Sequence, residues 1–480
     1  MRYATFLTLS LLFSGGLFAQ NADPWTLERA VQHALDNNLQ IRQSQLFEEQ
    51  ARLRLQQTKN DKLPSASGSS NVGLQFGRTI DPTTNTFDQQ TIGFQGYQIQ
   101  AGVTLYNGGL IKNRQKQAEI NYAQARTSTK IANNDNALLV ANSYLNIVLL
   151  REQLANSRAQ LALTEGQLDN TNRLIEAGAL PVAQRFDLEA QRAANQRSIV
   201  ELENQVDMAV LGLKLLLQLD YSQEFDVVTP DIELTEAQLL QEFNLEEVFL
   251  SARGIQPTIL AAELQRDAAE LDIEIAKAGL RPTLSLFGSV STNFSTAAKD
   301  FTQVQGEPVL GPAIPVEING MPSTLAEFRF QSTGDLPTIG YFDQLDRNFG
   351  QSVGMSINVP IYSQGRNKNN IQQAKVNRDL QAVSIELAEN NLRNNVELAL
   401  TNLRAAQQTY RAASVSLDAS QTAYDNVQRS FRAGAANSLD LVTATNRLDQ
   451  ARTELTRSKY QLIFNRQIVR FYLGQGLSFE

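Results

Sequence analysis

The longest pattern in the chain is a helical one. Residues 366–433 contain no Gly or Pro and are rich in Ala, Leu, Gln, Asn and Arg, which a helix accepts or favours. At ~1.5 Å per residue this stretch predicts a helix roughly 100 Å long. Gly434 provides the positive φ that closes such a helix, and 437–473 then predicts a returning helix. Apolar residues spaced by seven indicate packing against neighbouring helices: Leu154, Leu161, Leu168 and Ile175, and Leu441, Leu448, Leu455, Leu462 and Val469.

A different pattern follows Pro64 and Pro282, where the period switches from helical to alternating. The alternating apolar positions are Val72, Leu74 and Phe76; Tyr97, Ile99, Ala101, Val103 and Leu105; Leu284, Leu286, Val290 and Phe294; and Val353, Met355, Ile357, Val359 and Ile361. Such strands suit either the half-buried sheet of a soluble protein or the wall of a membrane β-barrel. The long helices leave no compact core for a soluble sheet to cover, so we favour the barrel. The polar stretches between paired strands, 77–94 and 295–348, predict loops outside the cell.

The chain contains the same unit twice. Residues 27–64 align without gaps onto 245–282, and from Leu105 onward the alignment continues at an offset of 256 residues. We therefore predict a signal peptide at 1–19, a first repeat at 20–244 and a second repeat at 245–480. Each repeat is expected to hold one helix (26–60 or 245–280), two strands and a long helical hairpin, and an irregular connector is expected at 219–244.

Composition excludes several classes of function. The chain has no Cys and one His, His33, so disulfides, thiol nucleophiles and Cys-based zinc sites are ruled out. A net charge of −8 without a basic patch disfavours nucleic-acid binding. No phosphate loop, nucleophile elbow or metal-ligand spacing occurs, so we expect no enzyme activity, no cofactor and no metal.

The expected location is outside the cytoplasm. Arg2, the apolar run at 6–13 and the small residues ending at Ala19 are typical of a secretory signal. Four strands cannot close around a lumen, and open sheet edges are not tolerated in lipid, so several chains are expected to share one barrel. Two other interpretations stay open: an exported coiled-coil trimer that acts as a scaffold without conducting, and a periplasmic adaptor. The adaptor would need lipoyl-like segments flanking a single hairpin.

The ordered features resemble the TolC-like outer-membrane efflux protein family over residues 22–475. The resemblance is carried by the duplicated Pro64/Pro282 switch, the strand exits at 105–109 and 361–365, and the tip glycines Gly178 and Gly434. It implies an α+β membrane protein whose long antiparallel helical hairpins form a periplasmic α-barrel continuous with an outer-membrane β-barrel. It also implies a homotrimer with a twelve-stranded barrel, docked through a periplasmic adaptor to an inner-membrane pump in a Gram-negative bacterium. Its expected role is a passive exit duct for efflux or type I secretion.

The resemblance also implies two kinds of site. The tips that meet the adaptor are Ala177, Gly178 and Ala179, and Ala433, Gly434 and Ala435. The periplasmic aperture is expected at Asp440, with Thr443 where the family has a second Asp, and Phe431 and Ala436 at positions that lock the closed mouth. Each site has a simpler explanation: a C-cap glycine for the tips and an acid paired with a helix dipole for Asp440.

Overall fold

The computed structural model describes residues 24–80, 87–89, 91–229, 234–300, 308–330 and 337–475. The predicted signal peptide, 1–19, lies outside these residues. The chain divides into two compact units. The first holds Met1–Arg52, Ile120–Asp267 and Asp379–Glu480, and the second holds Leu53–Glu119 and Ala268–Arg378. Among the described helices, none is both long and apolar enough to cross a membrane.

The helices follow the sequence pattern closely in the two long hairpins. Helix α3 (Leu110–Glu176) is followed by α4 (Gln184–Leu217), and α9 (Arg366–Arg432) is followed by α10 (Ser438–Tyr472). The remaining described helices are α1 (Leu27–Asn37), α2 (Leu39–Asn60), α5 (Glu236–Leu240), α6 (Leu245–Ile255), α7 (Pro257–Ala278) and α8 (Tyr341–Arg347). The predicted long helices therefore begin and end within a few residues of the observed ones.

The prediction of one unbroken helix at 26–60 and another at 245–280 is wrong, because each is interrupted once. Asn38 is extended (φ −65°, ψ 131°) and its side chain donates to the Leu216 carbonyl oxygen at 3.1 Å while accepting the Gln40 N–H at 2.9 Å. Asn38 thus caps the helix that follows it. Gln256 is extended because it precedes Pro257, whose ring disfavours the α conformation of the preceding residue.

The first unit is held together by hydrophobic clusters and by buried hydrogen bonds at the start of the chain. Trp25 forms a parallel bridge with Val227, and the buried Tyr144 hydroxyl shares its one proton between the carbonyl oxygens of Trp25 (2.9 Å) and Val228 (2.6 Å). Burial raises the pKa of Tyr144 to about 12. Because one hydroxyl contacts both segments, the start of α1 and the connector after α4 are fixed to α3.

The second unit contains the sheet. Its four long strands are β1 (Ser65–Gln75), β4 (Ile92–Asn107), β5 (Thr283–Ser295) and β10 (Gly350–Asn358), paired antiparallel in the order β1-β4-β5-β10. The predicted apolar positions on β1 and β10, such as Val72 and Val353, are exposed within the chain. β1 and β10 are the edge strands, and within the described residues the outer edge of each is unpaired in this sheet.

The segments between the paired strands are more regular than the predicted loops. They contain the ribbons β2–β3 (Arg78–Ile80 and Phe87–Gln89), β6–β9 (Pro308–Leu310 and Phe328–Phe330) and β7–β8 (Ile314–Ile318 and Met321–Leu325), together with α8. The β7–β8 ribbon turns at Asn319 and Gly320, both at positive φ (56° and 81°). Asn-Gly is the preferred pair for such a turn, so composition alone understated the order here.

Candidate functional site

The first candidate site is formed by the two turns that end α3 and α9. Gly178 and Gly434 both have φ +73°. The Gly178 N–H donates to the Ile175 carbonyl oxygen (2.9 Å) and the Ala179 N–H to that of Leu174 (2.8 Å). Gly434 and Ala435 repeat these bonds with Phe431 and Ser430. This is the Schellman arrangement, in which glycine relieves the cost of the left-handed conformation.

The tip residues leave open space around them. The alanines at 177, 179, 433 and 435 and both tip glycines are exposed. A Cβ built at Gly178 or Gly434 would meet no atom within 4 Å. Small, exposed side chains let the backbone of another protein approach closely. The C-cap turn itself needs only the glycine, not the alanines on either side of it.

The two tips differ in the contacts of the arginine that flanks each of them. In the first, Arg173 forms an ion pair with Asp169 (2.6 Å). In the second, the equivalent Arg429 donates to the Asn426 side chain (2.7 Å) and to the Asp425 carbonyl oxygen (3.2 Å). The two tips therefore carry the same pair of residues, but the guanidinium of Arg429 has acceptors other than the Asp425 carboxylate.

Asp440 lies at the N-terminus of α10 in a capping box. Its backbone N–H donates to the Asn437 side chain (2.8 Å), and its carboxylate accepts the Asn437 N–H (3.2 Å). The residue is exposed, so its charge faces solvent. The geometry supports the capping explanation and leaves one face of the carboxylate available for another role.

The other two aperture candidates are placed differently. Thr443 is exposed one turn into α10, and its hydroxyl donates to the Leu439 carbonyl oxygen (2.7 Å). Phe431 is buried, with only 4% of its surface exposed, in a cluster with Tyr424, Leu441 and Leu448. Asp440 and Thr443 therefore share an exposed segment, whereas Phe431 packs beneath it.

A groove beside the tips was not anticipated from the sequence. It has a volume of about 470 Å³ and is lined by Gly166, Gln167, Asn170, Phe431, Arg432 and Leu441, among others. Gly166 is the sole glycine in α3, and the missing side chain at this position of a continuous helix was the signal that could have revealed the groove.

Polar contacts between α10, α4 and α3 were also missed. The Ser438 hydroxyl donates to the Asp187 carboxylate at 2.8 Å. Further along, Asn446 donates to Gln191 (3.1 Å), Gln191 to Asn195 (2.9 Å) and Asn195 to Thr164 (2.9 Å). This series of amides crosses three helices, and their pairing depends on a helix arrangement that no local pattern records.

One aspartate on α10 has a shifted pKa. Burial raises the pKa of Asp449 on α10, and the charge of Arg452 partly opposes this shift. His33 lies in α1, where its ring packs edge-on against Trp25 with the centroids 5.1 Å apart. No cluster of three or more His, Asp or Glu suited to a metal ion occurs in the described part of the chain.

Comparison with known proteins matches these features to one family. The family model described as "Outer membrane efflux protein" matches residues 30–217 and 250–475. The chain is 23% identical to the outer membrane efflux protein BepC of Brucella suis, over 96% of this chain and 90% of that protein. It is also 23% identical to the outer membrane protein TolC of Escherichia coli, over 70% of this chain and 61% of that protein.

The fold agrees with the sequence match. The outer membrane protein VceC of Vibrio cholerae superposes with a TM-score of 0.71 at 14% identity, covering 94% of this chain and 97% of that one. The predicted combination of long helical hairpins and four main strands is therefore confirmed as the fold of outer-membrane efflux channels. Because the family model covers most of the chain, this protein belongs to the outer membrane efflux protein family.

Proposed function

We propose that three copies of this outer-membrane efflux protein assemble into one exit duct. Four strands from each copy would close a twelve-stranded barrel in the outer membrane, and the long hairpins would form a tunnel in the periplasm. The duct passively conducts substrates delivered by an inner-membrane pump through a periplasmic adaptor. The proposed partners are thus two further copies of this chain, the adaptor, the pump and outer-membrane lipid.

The observation that carries this proposal is the open-edged sheet β1-β4-β5-β10 joined to helices far longer than a compact domain needs. Exposed apolar side chains on both edge strands, Leu74 and Val353 among them, would be unfavourable in water. Unpaired strand edges would be equally unfavourable in lipid. Closure by further copies pairs the strand edges, and lipid around the closed barrel covers the apolar side chains.

The domain organisation that we propose is a signal peptide at 1–19, a first repeat at 20–244 and a second at 245–480. Two helices, two long strands and a long helical hairpin follow one another in this order in both repeats. Duplication explains why the tip turns at Gly178 and Gly434 have the same φ and the same hydrogen bonds.

We propose that the exposed tips, Ala177–Ala179 and Ala433–Ala435, are the adaptor-docking surface. Their small side chains and the open space around both glycines suit close packing against a helical hairpin. The differing arginine environments, Arg173 paired and Arg429 directed elsewhere, would let an adaptor distinguish one tip from the other.

We propose that Asp440 lines the periplasmic aperture, with Thr443 on the next turn of α10. Around a threefold axis, three carboxylates would attract cations and repel one another. Phe431 would influence the aperture indirectly, since it is buried against Leu441 on the same helix.

Single-channel conductance in a planar bilayer tests the proposal. The purified oligomer should give discrete steps with cation preference. Asp440→Asn keeps a capping acceptor but removes the charge, so it should reduce that preference. Steps unchanged in Asp440→Asn would retain the duct and reject the aperture role of Asp440. A correctly inserted oligomer without current would favour the non-conducting scaffold, which the comparisons do not support.

A further inference from the structure

The second unit has two unlike open sides. The sheet order is β1-β4-β5-β10, and the neighbouring helices follow the same order. Lys62, after α2, contacts Gln115 of α3; Gln117 of α3 donates to Asp272 of α7 (2.6 Å); and Arg378 of α9 donates to Glu270 of α7 (2.9 Å). One side therefore ends at β1 and α2, and the other ends at β10 and α9.

The strand pairing within the two repeats has the same register once the offsets of 218 and 256 residues are applied. In the first hairpin Val72 lies opposite Gln95, and in the second Val290 lies opposite Gln351. Val290 is 218 residues after Val72, and Gln351 is 256 residues after Gln95. Ser70 opposite Tyr97 likewise becomes Gly288 opposite Val353. A residue pair in one repeat can therefore be transposed to the other by two fixed offsets.

The junction between the repeats is present once in the chain. Tyr97 lies opposite Thr292 and Ile99 opposite Val290 where β4 meets β5. Below the strands, the Gln117 amide donates to the Asp272 carboxylate. Applying the two offsets to this junction places β10, in the second repeat, beside β1, in a first repeat. A second copy of the chain would supply that first repeat.

We propose that β10 of one copy pairs antiparallel with β1 of the next, with Val353 opposite Leu74 and Met355 opposite Val72. In the same interface, the transposed contact brings the Gln373 side chain to Arg54. This inference rests on the proposed homo-oligomer and assigns its register.

The exposed side chains fit this register. Val353 (81%), Leu74 (64%), Met355 (59%) and Val72 (79%) are all uncovered in the single chain, and the register places apolar opposite apolar. A slip by one residue would instead place Val353 opposite Gly73 or Gln75 and turn one edge strand over, because the side-chain period of a strand is two.

The helices beside these strands carry matching unpartnered stripes. Leu39, Leu46 and Leu53 of α2 are spaced by seven and exposed. On α9, Val376, Leu380, Val383 and Leu387 form a second exposed stripe. Two apolar stripes at helical spacing, one on α2 and one on α9, are what antiparallel packing between copies would bury. Charge agrees as well: the Gln117 amide donates to a carboxylate, and the Gln373 carbonyl can accept from the Arg54 guanidinium.

Cysteine cross-linking tests the register, because the chain contains no Cys of its own. The matched double variant is Leu74→Cys with Val353→Cys, treated in outer membranes with a short thiol-specific cross-linker. The control is Leu74→Cys with Ile357→Cys, which keeps the same face but moves one thiol about 13 Å along the strand. The single variants show background. Arg54→Cys with Gln373→Cys tests the helices separately.

The matched pair should give covalent oligomers on a denaturing gel at least about tenfold more readily than the control, since only directly opposite side chains come within bonding reach. Stronger cross-linking by the control would overturn the register. An oligomer found by light scattering that cross-links through neither pair would overturn the interface but leave the duct in place. A monomeric wild-type protein in lipid nanodiscs would overturn the homo-oligomer and this inference together.

Discussion

Asn437 and Asp440 hydrogen-bond to each other in both directions at the start of α10, each side chain accepting the backbone N–H of the other. The same carboxylate is thus the N3 residue of a capping box and the proposed source of charge at the aperture. These two roles make different demands on the side chain, because capping needs an acceptor and the aperture needs a negative charge. Separate substitutions can therefore test them.

The capping role predicts that Asn437→Ala lowers the free energy of unfolding by about 1 kcal/mol, because the Asp440 N–H loses its acceptor. Conductance and cation preference should stay close to wild type, since the charge at 440 is retained. Thermal unfolding followed by circular dichroism measures the first effect, and bilayer recordings measure the second. A large change in cation preference without loss of stability would contradict the prediction.

The tip turns predict that Gly178→Ala and Gly434→Ala are destabilising only through backbone strain. Both glycines have φ +73° with nothing near the added Cβ, so each substitution should cost about 1–2 kcal/mol locally. Amide hydrogen exchange at the turns would register this as faster opening.

Docking is tested at positions without that strain. Ala177→Leu and Ala435→Leu add bulk to the exposed tips, so they should weaken adaptor binding in a pull-down while leaving thermal stability unchanged. Equal binding by these variants and the wild type would reject the docking surface.

The junction between β4 and α3 predicts unequal effects at two adjacent glycines. Both Gly108 (φ +68°) and Gly109 (φ +89°) would suffer backbone strain as alanine. At Gly108 the new Cβ would also lie 2.7 Å from the Arg281 Cβ and 2.8 Å from the Ala278 carbonyl oxygen, whereas at Gly109 the nearest atom is 3.7 Å away. Gly108→Ala should therefore be worse than Gly109→Ala by about 1–3 kcal/mol. Comparable melting temperatures for the two variants would show that the junction adjusts freely.

The burial of Phe431 predicts that its replacement by alanine changes the stability of the protein more than the conductance of the aperture. The ring is buried among Tyr424, Leu441 and Leu448, so Phe431→Ala should cost at least about 2 kcal/mol. Phe431→Leu is the matched control and should cost less than half as much. Wider conductance steps in Phe431→Ala with an unchanged melting temperature would instead indicate that the ring lines the aperture itself.

The raised pKa of Asp449 predicts that its contribution to stability falls as the pH rises. Burial raises its pKa in the folded state above the ordinary value of 3.8, so the folded protein binds more protons than the unfolded chain between the two values. The ionised Asp449 carboxylate destabilises the folded state, and this destabilisation is fully present above the folded pKa. It is relieved as the pH falls towards about 4, because the carboxylate becomes protonated in the folded state first. Asp449→Asn should raise the melting temperature at neutral pH and flatten that part of the profile. Asp418→Asn, which removes an exposed charge from α9, controls for net charge.

The sequence predicted the elements better than their interruptions. The absence of Gly and Pro defined 366–433, and α9 occupies Arg366–Arg432 because no residue in this stretch interrupts a helix. The alternation after Pro64 and Pro282 located the strands for a similar local reason. The break at Gln256 was available from Pro257, whereas the break at Asn38 depends on a hydrogen bond to Leu216 far along the chain.

The sequence predicted the backbone turns of the candidate site, but it did not predict the burial and contacts of the side chains around them. Gly178 and Gly434 were assigned from the need for positive φ, which is a property of the residue type. The burial of Phe431 and the contact between Ser438 and Asp187 depend on which helices lie side by side. Heptad spacing indicates that helices pack but does not say which ones.

The unlike edges β1 and β10 have a genetic consequence. In the proposed ring, every copy offers one edge to each neighbour, so a single copy with a defective β10 leaves a gap that the intact copies cannot fill. If a cell produces equal amounts of intact and defective chains, about one in eight of the proposed three-copy rings would contain intact copies only. Mutations in these edge strands should therefore be dominant, whereas mutations that unfold the whole chain should be recessive, because unfolded copies never enter the ring.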